Sequence, residues 1–400
     1  TFSGLSKASG AAVVNVTLKK LGTTSKTKDF VRSQTLEITR TSRVNTINSG
    51  LTTTSNYGMR VEDEEISLNV PDVVNIVAIY ESKDTNTPVL DKLTFVSGLA
   101  LNSNSIIGEK IIGKDSRAIG QIVSRTANTV DFVYLNGNQF TVGELINFEE
   151  SNIETILQGV TVGNFIDRTT NYTLDKGHKL QYCDYSKIIR NTNAGAPSKK
   201  LLIIFDQFQS GISGDVFTVN SYTAERYKKD IPILAGQIPA SDIIDYRPRV
   251  KPFNLSDFGN STNVSPFAFT SRSFETSNPF VITPNESSLM GFDYYVGRID
   301  KVIIGQDENV DVIEGESAEN PVAPSVNTDA MEIAEIIYPP YLYDIQDAFI
   351  KMKDNRRFTM RDIASLEKRI KNLENISSLN ALELETASFQ VRDADGLNRF

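Results

Sequence analysis

Along most of this chain, apolar residues recur at every second position or in short unbroken runs, a pattern that predicts strands. Ile66-Ser67-Leu68-Asn69-Val70 alternates strictly, and Val73 to Tyr80 is nearly continuous in β-branched and apolar residues, with Pro71-Asp72 as the turn between them. Leu201-Leu202-Ile203-Ile204-Phe205 reads as a core strand, with Val216 to Ser221 as its neighbour. Strands are also predicted at Leu180 to Tyr185 and Met331 to Ile337, and Ile299 to Ile304 forms a hairpin with Val310 to Ile313 across Gly305 to Asn309. The first fifty residues are rich in Thr, Ser and Asn, with alternating stretches at Ala12 to Leu18 and Thr35 to Thr39, and predict peripheral extended structure.

The period changes only near the C-terminal end. Ile363, Leu366, Ile370 and Leu373 are spaced by 3, 4 and 3 residues, which puts them on one face of a helix running from about Thr359 to about Ser388. Thr359 followed three residues later by Asp362 is a capping pair. Thirty helical residues make a rod of ~45 Å. With Ile363 and Ile370 at heptad position a, Leu366 and Leu373 take d, Glu367 and Glu374 take e, and Arg369 takes g. Arg369 to Glu374 is then a g-to-e pair suited to parallel helices, and Glu367 to Lys371 is a favourable pair along one helix. Beyond Leu373 the apolar positions Ile376, Leu379 and Leu382 fall every third residue, so the seam drifts around the rod. The stripe needs a partner surface. An intermolecular seam is preferred to packing on the chain's own β structure.

Four hundred residues exceed what one core usually serves. The expected organisation is mainly β, with several sandwich or small-barrel segments and a long C-terminal α-helix that forms a short coiled coil. Residues 1–100 form an N-terminal β region. Residues 101–165 form an inserted small barrel or sandwich, because Gly108-Glu109-Lys110-Ile111-Ile112 is echoed by Gly143-Glu144-Leu145-Ile146-Asn147 and each copy precedes a second short strand, Ala118 to Val123 and Glu154 to Val162. That module serves either as a contact surface or simply to stiffen the structure. Residues 166–252 continue the strands of 57–100, 253–290 form a long loop or linker rich in Ser, Asn and Phe, 291–345 form a hairpin region, and 346–400 form the helical contact segment.

A net charge of −9 with scattered basic residues argues against nucleic acid as a partner. No run of ~18 apolar residues suggests a membrane span. A single cysteine, Cys183, excludes an internal disulfide, and a start at Thr1 reads as part of a longer polypeptide.

Catalytic motifs begin and then fail. Gly108 to Lys114 matches the spacing of a phosphate-binding loop, but Asp115 stands where a Mg²⁺-binding hydroxyl belongs and a strand follows where a helix is needed. Asp307-Glu308-Asn309-Val310-Asp311 opens like a calcium loop, yet Val312 replaces the turn glycine and Ala318 the bidentate Glu. His178 and Cys183 are the only residues of their kinds, too few for a usual zinc set, and the expected arrangement is a half-exposed His beside a packed Cys. Carboxylates such as Asp63, Glu64, Glu65, Glu149 and Glu150 read as a solvated face rather than as an acid/base pair, and the chain has no Trp to stack on a sugar. No enzyme activity, metal or cofactor is expected.

The C-terminal block, Asp354-Asn355-Arg356-Arg357-Phe358-Thr359-Met360-Arg361-Asp362-Ile363, then Leu366-Glu367-Lys368-Arg369-Ile370, Asn372-Leu373-Glu374, Glu385-Thr386-Ala387-Ser388 and Asp393-Ala394-Asp395-Gly396, resembles one in large structural proteins of tailed phages, especially contractile-tailed phages of cyanobacteria and other marine bacteria. Arg60-Val61-Glu62-Asp63-Glu64, Ala196-Pro197-Ser198-Lys199-Lys200 and Asp245-Tyr246-Arg247-Pro248-Arg249 are similar to such proteins too. The resemblance implies a virion component of the tail, baseplate or fibre, made in the bacterial cytoplasm and acting by assembly. It implies threefold or sixfold oligomers, whereas Ile at a with Leu at d favours dimers; a homotrimer is the expectation taken from the resemblance. The alternative is a host-surface adhesin binding glycan on the repeat module or on a loop carrying Phe253, Phe258, Phe267, Phe269 and Phe274, and a polysaccharide depolymerase ranks below both.

Overall fold

Leu201–Ser210 is apolar on both sides because both faces of its sheet are covered. It lies between Lys28–Ile38 and Val73–Ser82, antiparallel to each, and Phe165–Asp167 completes the four-stranded sheet. One face carries Leu201, Ile203, Phe205 and Ile79 and packs with Ile66, Tyr172 and Ile188 of a three-stranded sheet, Glu65–Ser67, Tyr172–Asp175 and Lys187–Arg190. The other face carries Leu202, Ile204, Ala78 and Tyr80 and packs on Val123 and Val133. Those two valines stand on the outside of a closed six-stranded barrel.

The computed structural model describes residues 17, 19–42, 49–54, 56–222, 231, 233–234, 238–239, 242–258, 264–275, 287, 289–327, 329–342, 344–354, 358–388 and 394–396. The Ala12 to Leu18 stretch apart from Thr17, the Arg356-Arg357 pair, Asp393 and residues 276–286 lie outside them. The chain divides into two units, Thr1–Met290 and Gly291–Phe400. It is mainly β, with several sheets, a small barrel and a long C-terminal helix.

The barrel runs from Asp91–Phe95 through Lys110–Gly113, Ile119–Arg125, Thr129–Tyr134 and Leu145–Phe148 to Glu154–Thr161. Its first strand precedes the expected boundary at 101, because Asp91–Phe95 closes the ring between Thr129–Tyr134 and Glu154–Thr161. The two echoed segments are related by a local twofold. Lys110–Gly113 pairs with Leu145–Phe148 so that Ile111 faces Phe148 and Gly113 faces Ile146, a pairing that maps onto itself when the copies are exchanged.

In each copy the glycine takes a positive φ, 81° at Gly108 and 94° at Gly143, and the Glu after it reaches across to cap the other copy's turn. Glu109 accepts from the N–H groups of Ile106 and Ser151 at 2.6 and 3.0 Å and from Ser151 Oγ at 2.7 Å. Glu144 accepts from the N–H groups of Thr141 and Ser116 at 2.6 and 2.9 Å and from Ser116 Oγ at 2.9 Å. The N–H groups of Asp115 and Ser116 therefore point at Glu144, where a phosphate loop would aim them at its ligand.

Several expected strands are something else. Leu180 to Tyr185 is a loop that makes single bridges at Cys183, to His178 and Arg249. Val216 and Phe217 make isolated bridges before a 3-10 turn, Val219–Ser221, closed by reciprocal bonds between Thr218 and Ser221. In both places backbone N–H groups bond to carbonyls of scattered segments, Cys183 to Pro248, Asp184 to Gly177 and Phe217 to Asp245, rather than to one continuous neighbouring strand.

The expected linker packs where it is described: Phe253 is buried against Tyr185, and Phe267 lies on Tyr57. In the second unit, Phe349–Met352 falls within the expected helical segment but is a strand, the edge of a sheet ordered Val310–Ile313, Arg298–Ile304, Met331–Tyr338, Phe349–Met352. The sequence before Thr359 has no helical stripe to compete with that pairing. Asp307 to Asn309 lies in the hairpin turn, closed by Gly305 N–H donating to Asn309 O at 3.1 Å, and Asp311 is already in the returning strand.

The local twofold makes a paired prediction. Glu109→Ala and Glu144→Ala each strand backbone donors and are expected to lower unfolding stability by similar amounts, about 2 kcal/mol each in urea denaturation; a cost confined to one of them would show that the copies are not equivalent.

Candidate functional site

Thr359 starts the Met360–Ser388 helix by a reciprocal cap: Asp362 Oδ2 accepts from Thr359 N–H at 3.0 Å and Oγ1 at 2.8 Å, and Asp362 N–H donates back to Thr359 Oγ1 at 3.3 Å. Every described helix residue except Asp362 is exposed through Ala387. Ile363, Leu366, Ile370 and Leu373 keep 50, 41, 54 and 66% of their surface in contact with solvent. Covering the exposed half of such a side chain stabilises by about 1 kcal/mol. Glu367 pairs with Lys371 at 2.8 Å, while Arg369 and Glu374 on the flanks of the stripe make no ion pair among the described residues. The stripe is a surface with chemistry for contact and none for reaction.

The residues that sequence reasoning set aside, His178 and Cys183, meet in the buried centre of the first unit. Asp72, with φ 56°, precedes the Val73–Ser82 strand, Lys28 opens the first long strand, and Arg249 lies in the segment that receives the Cys183 loop through Cys183 N–H to Pro248 O at 2.9 Å. Cys183 Sγ lies 3.5 Å from His178 Nδ1, and His178 Nε2 lies 3.7 Å from Asp72 Oδ1. Asp72 Oδ2 accepts from Arg249 Nε at 2.8 Å and faces Lys28 Nζ at 3.5 Å. Arg249 Nη2 donates to Asp245 Oδ2 at 3.0 Å, and Arg247 binds the same carboxylate through Nε and Nη2, both at 2.9 Å.

A thiol, an imidazole and a carboxylate in that order imitate a nucleophile, a base and an orienting group. Two facts remove the imitation. Cys183 is fully buried, and burial, with the Asp72 charge beside it, pushes its thiol up to about 12, so it stays a neutral thiol out of reach of substrate. Burial lowers His178 to about 4 against the opposing pull of Asp72, so the imidazole is neutral too. Burial alone would raise Asp72; Arg249 first and Lys28 next outweigh it and hold the carboxyl well below its usual range.

Asp72, His178 and Cys183 also place three metal-type ligand atoms within 4.8 Å of one another, so the count of one His and one Cys missed a carboxylate ligand. Lys28, Arg247 and Arg249 stand against only Asp72 and Asp245 there, so a dication would enter against surplus positive charge. The cluster works as a clamp.

The other upstream motifs are clamps as well. Asp63 accepts from Gly58 N–H at 2.6 Å and Arg60 N–H at 3.0 Å, and Glu62 accepts from Ser42 N–H at 2.7 Å. Buried Glu81 accepts from Ser198 and Lys199 N–H at 2.7 and 3.1 Å and pairs with Arg168 at 2.8 Å. Glu65 pairs with Lys187 at 3.0 Å, and Glu150 with Arg32 at 2.8 Å. Among the phenylalanines weighed as a glycan platform, Phe253 is buried, Phe267 and Phe274 pack on Tyr57 and Tyr182, and Phe269 remains 68% exposed.

Residues 259–397 match a family model described as a domain of unknown function, DUF4815, a span that holds the whole C-terminal sheet and the whole Met360–Ser388 helix. Comparison with curated proteins and with solved structures returned no match.

His178 is the only histidine, so the part of the pH 7 to 5 dependence that disappears when it is replaced reports on its imidazole. Its folded value of about 4 lies below the ordinary 6.5, so the unfolded chain takes up the proton first and stability falls as pH drops through that window. The expected loss is about 2 kcal/mol between pH 7 and 5 in urea denaturation, absent in His178→Asn. Asp72 and Asp245, depressed below 3.8, contribute their loss only at lower pH. Equal wild-type stability at both pH values would refute the buried neutral imidazole. Arg249→Met leaves Asp72 without its closest cation and is expected to cost about 3–5 kcal/mol, with Arg249→Lys failing to restore the forked contacts.

Proposed function

We propose that this chain is a virion structural protein of a tailed phage, part of the tail, baseplate or tail fibre, which acts by protein–protein assembly and without catalysis. The observation that carries the reading is the uncovered Ile/Leu stripe of a capped helix, in a chain whose other prominent motifs are engaged in its own fold. The resemblance of the Asp354-to-Gly396 block to phage structural proteins supplies the setting. A protein serving as a rigid part needs stiff β units and a surface reserved for neighbours. The central sheet, covered on both faces, and the barrel with its crossed Glu caps meet the first need, and the helix meets the second.

The chain works with copies of itself, as a homotrimer, and with other tail proteins. A net charge of −9 with scattered basic residues argues against nucleic acid as a partner, and no described helix is long and apolar enough to cross a membrane. The glycan-adhesin reading needs stacked rings facing solvent. Most of the loop rings proposed for that role are turned onto Tyr57, Tyr182 and Tyr185 instead.

Leu366→Asp combined with Leu373→Asp is expected to leave the thermal unfolding of the β units unchanged and to abolish association, because a shared seam would have to bury unpaired charge. Sedimentation of the full chain measures this. A wild-type chain that stays monomeric at high concentration, with complete tails built in its absence, would defeat the proposal.

A further inference from the structure

We infer that the C-terminal helix packs in parallel and in register with the same helix of neighbouring copies, over Ile363 to Leu373 alone, with Arg369 of each copy against Glu374 of the next. This rests on the assembly reading above and adds its geometry.

The extent follows from the angular positions. At ~100° per residue, Ile363, Leu366, Ile370 and Leu373 fall within an arc of about 80°, whereas Ile376, Leu379 and Leu382 step ~60° further around the rod each time. Ser377 and Asn380 occupy the next a and d positions, so continuing the seam would bury polar groups without partners. The pairing surface therefore ends after Leu373, and the later leucines face away from it.

The orientation follows from charge. In a parallel bundle, position g of one helix meets e of its neighbour five residues on, which sets Arg369 against Glu374 at each contact between neighbouring helices. Both groups lack an ion pair among the described residues, so no described partner competes for them. An antiparallel pair over the same stripe sets Arg369 beside Arg369 and Glu367 beside Glu367. The remaining parallel contact, Asp362 with Glu367, joins like charges, but both are already engaged: Asp362 is turned back onto Thr359, and Glu367 holds Lys371 at 2.8 Å. A second copy is thus the occupant that complements both the apolar stripe and its flanking charges.

Thiol crosslinking of the full chain tests this directly, because the native Cys183 is buried and silent. Ile370→Cys is expected to form a disulfide-linked pair on mild oxidation under native conditions, and Lys368→Cys, on the opposite side of the helix, is not. In a mixture of Ile370→Cys and Leu366→Cys chains, parallel pairing gives 370–370 and 366–366 links. Predominant 370–366 links would show antiparallel pairing and overturn the inference while leaving assembly intact. No link at either position in a chain that sediments as an oligomer would also overturn it, and would place the assembly contact elsewhere. A chain that does not associate with itself at all would overturn this inference, while the proposed function would still be decided by whether complete tails are built in its absence. Independently, Glu374→Arg is expected to weaken association severalfold, and Arg369→Glu with Glu374→Arg to restore it. Failure of the double exchange to restore association would remove the Arg369–Glu374 contact.

Discussion

A carboxylate buried away from water must keep its cations or cease to be charged, and Asp72 imposes that condition on the first unit. Its partners Lys28, His178 and Arg249 lie in segments far apart in sequence, and Asp245 and Arg247 extend the group. Removing one member leaves another buried and unpaired, at a cost of several kcal/mol. The cluster thereby ties the first strand, the turn before Val73, the His178–Cys183 loop and the Asp245–Val250 segment into one arrangement. Hydrophobic burial makes the sheets stable, while this requirement selects which loops close over them.

The same device recurs at smaller scale. Glu81, Glu109, Glu144 and Asp63 each gather backbone N–H groups of turns that no ladder satisfies. Because Glu109 and Glu144 cap each other's copy, the barrel's two hairpins are locked as a pair. Irregular segments are thus held in place without becoming strands, which suits the assembly role proposed above.

Much of the β architecture is legible from local pattern. The unbroken run Leu201 to Phe205 and the echo between Gly108 and Gly143 point to a core strand and a repeat, and the Thr359–Asp362 spacing marks the helix start within one residue. Elsewhere hydropathy misleads. Leu180 to Tyr185 has strand-like composition, but Cys183 N–H is taken by Pro248, which only folding brings near, while Asp184 and Tyr185 N–H are taken locally by Gly177 O and the Asp184 carboxylate. Phe349–Met352 is too short to announce itself and is a strand because Met331–Tyr338 lies beside it. The Asp-Tyr-Arg-Pro-Arg string does carry a signal: Pro248 favours extended backbone at Arg247 and so keeps Arg247 and Arg249 on one side.

By itself, the sequence determined the element types, the helix cap and the apolar stripe, since each depends on residues a few positions apart. Only the tertiary structure decided that buried Cys183 and Asp72 meet the partly buried His178 in a cation-rich cluster where the thiol and imidazole are both neutral. It also decided that the helix stripe stays uncovered. The reason is physical: periodicity is a local property of a chain, whereas burial and the electrostatic environment of a group are set by what the rest of the fold brings beside it.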